Sequence, residues 1–227
     1  MTMSSVEART GREKQRYEDK LRLVAGCIPY KFEKSMERSN CNFENNLLVL
    51  MISSPNRDDL VFPKGGWEDD ETITEAACRE ALEEAGVRGI LSKTHLGYWV
   101  FRSKSRQNSC SLEGGCKGYM YSLQVTEELD SWPEQTNHDR KWVTIEEAFR
   151  LCRYDWMRDA LKMFLAALSE ERENERREKL VELPIRLAIS EAVADQISSA
   201  AAGCYSKHSG VKHQHLESVS TKCVVQG

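Results

Sequence analysis

The 227-residue chain has no apolar run near the ~18–20 residues that a membrane-crossing helix needs, which excludes a helical membrane protein. Its eight cysteines include no CxxC pair, and no Cys/His spacing suits zinc. No apolar stretch near the start resembles a secretory signal, so secretion is not expected and the thiols should be reduced. Nor is there a large excess of one charge. A net charge of −4 and a pI near 5.8 argue against broad, non-specific nucleic-acid binding. Internal repeats are absent. What the chain does have is 40% hydrophobic and 30% charged residues, enough for one core but diluted for this length. One compact domain with a polar extension is the expectation.

The charges near the start pull two ways. Arg9, Arg12 and Arg16 would suit a mitochondrial leader, whereas Glu7, Glu13, Glu18 and Asp19 oppose an acid-poor transit peptide. The balance predicts cytoplasm and/or nucleus, with the mitochondrion as the alternative.

Along the chain, residues 1–20 read as a polar arm, 21–168 as the folded domain, and 169–227 as a charged tail, partly helical and then disordered. Leu21–Phe32 reads as a strand broken by Pro29, and the apolar run Leu47–Ile52 as a buried strand. The Asn-rich segment 34–46 and the polar stretch 102–115 read as loops. A tight glycine-containing segment covers residues 60–67. Residues 72–86 predict a helix: Thr72 and Glu75 have capping-box spacing, and Gly86 suits the left-handed position after the last turn. Its apolar stripe is Ala77, Cys78, Ala81, Leu82 and Ala85, which places Cys78 on the buried side. Further strands are expected at Gly97–Phe101, 117–125 and 141–144, and helices at 146–152 and 155–168. The charge run after Ser169 reads as a solvated helix interrupted by Pro184.

One segment carries chemistry. Glu80, Glu83 and Glu84 stand at i, i+3 and i+4, so a helix puts all three carboxylates on one face. Like charges so close destabilise a helix and raise one another's pKa unless a cation neutralises them. Hard oxygen donors suit Mg²⁺ or Mn²⁺, and Mg²⁺ typically joins one or two carboxylates to substrate phosphates. Gly65 and Gly66 would let backbone approach a ligand closely. A lone ExxEE is usually just a solvated face. Here the spacing from Gly65 through Glu71, Arg79, Glu80, Glu83 and Glu84 to Gly86 and Val87 satisfies GX5EX7REUXEEXGU, with Ala81 as the apolar U. Seven fixed positions at about one in twenty each make a chance match on the order of one in ten million over ~200 windows.

The chain therefore resembles a Nudix hydrolase. The segments LVFPKGGWEDDET, RSKS, GGCKGYMY, ELDSWPEQ, RKW and CRYDWM are similar to the plant members of the diphosphoinositol polyphosphate phosphohydrolase branch. The resemblance implies an α/β fold, an α/β/α sandwich around a mixed sheet, and cleavage of a substituted diphosphate. It implies that Glu80 and Glu84 bind Mg²⁺ or Mn²⁺, and that Glu83 binds metal or deprotonates water. Lys64 or Gly65 would offer a backbone carbonyl, and Glu71 and Arg79 would form an ordering ion pair. A highly phosphorylated substrate needs cations, and the candidates are Arg9, Lys20, Arg22, Arg57, Lys64, Arg102, Lys104, Arg106, Lys117 and Arg140, with Gly65 and Gly66 alongside. The tryptophans at 99, 132, 142 and 156 read as core or rim, and the histidines at 208, 213 and 215 as a solvated tail. The expected partner is a small polyphosphate, bound by a monomer, with no specific nucleic acid and no membrane. The leading expectation is hydrolysis of diphosphoinositol polyphosphates to InsP6. Dinucleoside polyphosphates such as Ap5A and Ap6A are the alternative substrates, and a non-catalytic Nudix-type binding module is the third reading.

Overall fold

A computed structural model describes residues 8–33, 46–55, 57–102 and 114–202, with side chains described as far as 178. The predicted loop 34–46 lies almost wholly outside these residues, as do Lys104, Arg106 and the three tail histidines.

The elements run β1 (Tyr17–Glu18), β2 (Leu21–Phe32), β3 (Leu47–Ile52), β4 (Lys64–Gly66), α1 (Ile73–Ala85), β5 (Val87–Leu91), β6 (Gly97–Phe101), β7 (Cys116–Glu128), β8 (Arg140–Thr144), α2 (Ile145–Leu151) and α3 (Asp155–Ala202). The sheet is mixed, in the order β5-β7-β2-β3-β8, with β1 and β4 on β2 and β6 on β7. Strand β2 runs parallel to β7 over nine register pairs, Arg22↔Cys116 to Tyr30↔Gln124; the other pairings are antiparallel. Side chains alternate along β2. Cys27 faces α1, close enough for the charges of Glu80 and Glu84 to act on its thiol. Tyr30, of opposite parity, meets Phe164 of α3 at a ring distance of 5.1 Å. The helices thus lie on the two faces of the sheet, and the core between them is built from residues such as Ile28, Leu50, Phe62, Met120, Met157 and Phe164.

Three expectations change. Pro29 does not break β2. On the side where its missing N–H would point, the partners of β2 are β4 at residues 24–26 and β3 at residues 30–32, so Pro29 falls in the gap between them and no ladder bond is lost. Cys78 is exposed; the buried residues of α1 are Ala76, Ala77, Glu80, Ala81, Glu83 and Ala85. Pro184 does not interrupt α3, which runs through it; a proline within a helix removes one hydrogen bond and favours a kink without ending the helix. The chain separates into two compact units, Met1–Arg172 and Glu173–Gly227. The second is helical as far as Ala202, with Arg177 3.4 Å from Glu173 on an exposed surface.

Two local structures position the site. Helix α1 opens on a complete capping box, with Thr72 accepting from the Glu75 amide and the Glu75 carboxylate accepting from Thr72, and it closes on Gly86 at φ 63°. Such a cap contributes ~1 kcal/mol. The β1–β2 hairpin turns on Asp19 (φ 48°) and Lys20 (φ 65°), two left-handed residues in succession, as a tight hairpin twist demands.

Candidate active site

The C-terminal half of α1 carries Glu80, 7% exposed, and Glu83, 3% exposed. Arg79 binds them together. Its Nη1 donates to Glu80 Oε1 (2.7 Å) and Glu83 Oε2 (3.0 Å), its Nε and Nη2 to Glu71 (2.9 and 2.7 Å), and Nη2 also to the Gly66 carbonyl (2.8 Å). Glu84 Oε2 accepts from the Lys64 amide at 2.8 Å, which ties the helix to β4. Burial, and then the charge of Glu84, push Glu80 up to about 8. Burial also raises Glu83 and Glu84, against the pull of Arg79 on the first and Lys64 on the second. Burial opposes the charge on Arg79, yet its bonds to Glu71 and the charge of Glu80 reverse that effect and raise its pKa. A β-carbon at Gly65 would collide with the Glu80 carboxylate, so only glycine leaves that carboxylate its place. Three clustered carboxylates whose charge burial disfavours, beside backbone that approaches without a side chain, fit a divalent cation.

On the other side of β4 lies a cavity of about 590 Å³ lined by Arg12, Lys20, Arg22, Lys64, Tyr17, Phe101, Cys116 and Tyr154. It brings together three of the predicted cations, Lys20, Arg22 and Lys64. Arg12 completes the set; its only sequence signal was its place in the basic arm. Arg9 is not brought there. Its guanidinium lies 2.6 Å from Glu68 and 2.9 Å from Asp70, where with Lys14 it fastens the arm to the loop before α1. Its backbone N–H does donate to Glu83 Oε1 at 3.3 Å. Arg140 also serves the protein itself: its Nη1 donates to the Ala85 and Gly86 carbonyls (3.3 and 3.1 Å) at the end of α1, and its guanidinium stacks on Trp132. Arg57 pairs with Asp59 and Lys117 with Glu18. Arg102 lines a separate hollow with Phe101, Tyr154 and Trp156. Trp99, Trp142 and Trp156 pack half-buried against the core, at its rim.

Two residues at the carboxylate cluster escaped the sequence reading. Glu134 and His138 lie in the loop before β8, which is pinned to α1 by Glu134 N donating to the Glu83 carbonyl (3.0 Å) and Leu129 N to that of Gly86 (2.8 Å). His138 Nε2 stands 3.3 Å from Glu134 Oε2 and 3.9 Å from Glu84 Oε1. The i, i+4 spacing of Glu134 and His138 was the available signal, in a segment with no helical periodicity to give it meaning.

The model of the NUDIX domain matches residues 39–164, more than half of the chain. The chain belongs to the Nudix family. It is 60% identical over 173 residues to "Nudix hydrolase 13, mitochondrial" of Arabidopsis thaliana, a match covering 74% of this chain and 86% of that one. Identity to "Nudix hydrolase 12, mitochondrial" of the same plant is 58% over 173 residues, covering 75% and 85%. "Diphosphoinositol polyphosphate phosphohydrolase 2" of Mus musculus is 33% identical over 129 residues, covering 56% and 60%. The chain is thus a Nudix hydrolase, an enzyme that acts on phosphoanhydride bonds of small molecules and uses a divalent metal.

The mitochondrial names of the first two relatives overturn the expectation of cytoplasm and/or nucleus. The acidic residues weighed against a leader explain the error. Glu18 belongs to β1 and Asp19 to the hairpin turn, so they are parts of the folded domain and carry no information about a leader.

Proposed function

We propose that this Nudix hydrolase belongs to the diphosphoinositol polyphosphate phosphohydrolase branch and cleaves the diphosphate of InsP7 and InsP8 to give InsP6. The observation that carries this reading is the convergence of Arg12, Lys20, Arg22 and Lys64 on one cavity that shares β4 with the carboxylate cluster. Clustered phosphates would occupy the cavity, each desolvated charge-assisted contact being worth ~1.5–3 kcal/mol, and the scissile diphosphate would reach over Gly65 toward α1. Glu80 and Glu84 would hold Mg²⁺ or Mn²⁺, which when bound neutralises charge developing on the phosphoryl oxygens and lowers the pKa of attacking water. Glu83, raised by burial, either joins them or takes the proton of the water. Arg79 orients Glu80 and Glu83 through one nitrogen. The mouse relative's name supports this substrate class, and the names of the plant relatives support residence in the mitochondrion.

A second reading, dinucleoside polyphosphates, is favoured by Tyr17, Phe101 and Tyr154 in the same cavity, since a nucleobase needs an aromatic platform. Phosphate release from InsP7, Ap6A and ADP-ribose with Mg²⁺ separates the two. The Lys20→Ala/Arg22→Ala double variant should raise KM for InsP7 far more than for ADP-ribose, and Glu83→Gln should lower kcat on every substrate by roughly 10²-fold. Strong turnover of Ap6A with none of InsP7, together with a KM for Ap6A that rises in Phe101→Ala, would move the assignment to nucleotides. Equal losses on InsP7 and ADP-ribose in the double variant would take the cavity out of substrate recognition.

A further inference from the structure

We infer that Glu134 and His138 join Glu84 in holding the metal, and that the imidazole makes this centre prefer a first-row transition ion such as Mn²⁺ to Mg²⁺. The inference rests on the divalent-metal reading of the carboxylate cluster and adds to it two residues from outside the box motif.

One oxygen, one nitrogen and one more oxygen, from Glu84, His138 and Glu134, lie within 4.8 Å of one another. Ligands at right angles around an ion with bonds of 2.0–2.1 Å stand about 3 Å apart. The 3.3 Å from His138 Nε2 to Glu134 Oε2 and the 3.9 Å to Glu84 Oε1 are close to that spacing, and a small inward movement of side chains would meet it. The imidazole is already turned for the purpose. Its Nδ1 lies 2.7 Å from the Ser53 carbonyl, and because a carbonyl only accepts, Nδ1 carries a proton. In the neutral ring, the lone pair on Nε2 then faces the two carboxylates. A backbone carbonyl behind the far ring nitrogen is the support that metal-bound histidines commonly have. Glu84 is arranged in the same way: Oε2 is held by the Lys64 amide, and Oε1 is the oxygen near His138. Glu134 is fixed through its own backbone, whose N–H donates to the Glu83 carbonyl. The three donors therefore come from α1 and from a loop pinned to α1, with the imidazole braced against the end of β3.

The chemistry of the donors sets the choice of ion. Mg²⁺ favours oxygen and keeps much of its water, whereas nitrogen donors suit transition ions. Two carboxylates alone would not discriminate strongly; a carboxylate pair with an imidazole should.

The test is Mn²⁺ binding followed by electron paramagnetic resonance, with Mg²⁺ as competitor, in wild type, His138→Ala, His138→Gln, Glu134→Gln and Glu80→Gln. Wild type should show nitrogen-14 modulation of the bound Mn²⁺ signal, a readout that needs no variant to fold. His138→Ala should lose that modulation and weaken Mn²⁺ about tenfold or more while leaving Mg²⁺ affinity nearly unchanged. If the wild-type signal lacks nitrogen coupling and His138→Ala binds Mn²⁺ as tightly as wild type, His138 is only an ion-pair partner of Glu134 and the inference is overturned. Loss of Mn²⁺ in Glu80→Gln beside indifference to His138→Ala would leave the box metal standing and overturn the extension alone. Wild type that binds no Mn²⁺ or Mg²⁺ would overturn both.

Discussion

Arg79 is the residue on which the carboxylates depend. Its side chain is 13% exposed, and its three ion-pair partners Glu71, Glu80 and Glu83 are all under 10% exposed, so little water reaches the cluster. A buried ion pair gains little over a well-packed apolar replacement, but removing one partner strands the other charges at a cost of about 3–5 kcal/mol. Arg79→Ala should therefore destabilise the metal-free protein by roughly that amount, well beyond the loss of an exposed pair such as Arg88–Glu127. Bound Mn²⁺ should recover part of the loss, because a cation among the same oxygens substitutes for the guanidinium. Thermal melts of wild type and Arg79→Ala with and without Mn²⁺ check this; an Arg79→Ala protein no more dependent on metal than wild type would mean the arginine and the metal do not share the carboxylates. The same residue shows why the cations were hard to assign from sequence. Arg9, Arg22 and Arg140 read alike as candidate phosphate ligands, but Arg22 lines the basic cavity while Arg9 finds Glu68 and Asp70 and Arg140 finds helix carbonyls. Whether an arginine's anion belongs to the substrate or to the protein is settled by tertiary contacts.

At the scale of the element, α1 concentrates negative charge at the wrong end. Helix dipoles disfavour carboxylates in the last turns, and burial adds to the penalty. Glu80 is raised from its ordinary 4.5 to about 8, so the folded state binds a proton that the unfolded state has released between those values. Its contribution to stability is complete below pH 4.5 and lost as pH rises through 8. A divalent ion needs the ionised carboxylates and should relieve that loss. The rise in Tm on adding Mg²⁺ should accordingly be larger at pH 8.5 than at pH 6; the same rise at both would mean that the metal displaces no proton from α1. The bounds of this helix were legible because capping box and C-terminal glycine are local signals. The buried stripe was legible at Ala77, Ala81 and Ala85, but not at Cys78, which is exposed, nor at Glu80 and Glu83, which are buried beside it. A functional helix turns its carboxylates inward, and hydrophobic patterning then misleads. β4 was missed for another reason: Lys64-Gly65-Gly66 has no strand propensity, and it becomes a strand only because the edge of β2 offers partners. Glu134 and His138 stand some 50 residues beyond Glu84, and only the packing of their loop on α1 gives them a role.

For the whole molecule, the last buried side chain of α3 among the described residues is Leu168, and residues 169–178 are exposed. The compact unit ends at Arg172, whose guanidinium lies over Phe32 at 5.6 Å. Truncation after Arg172 should leave a cooperatively melting enzyme with unchanged kcat. Truncation after Ala160 removes Leu161, Phe164 and Leu168, and should abolish folding, because losing even one large buried side chain costs about 2–5 kcal/mol. Solubility, melting curves and turnover of the two fragments check both statements, and an inactive longer fragment would assign the C-terminal unit a part in catalysis. Lys64 joins the two sites. Its side chain lines the basic cavity while its backbone N–H holds Glu84, so one residue touches both the proposed phosphate site and the proposed metal centre. Occupancy at one would then bias occupancy at the other, and thermodynamics makes that influence reciprocal: whatever factor the metal adds to the affinity for polyphosphate, polyphosphate adds to the affinity for metal. Scarcity of either ligand would leave both sites emptier than its own affinity suggests, and the enzyme would respond to the two concentrations jointly.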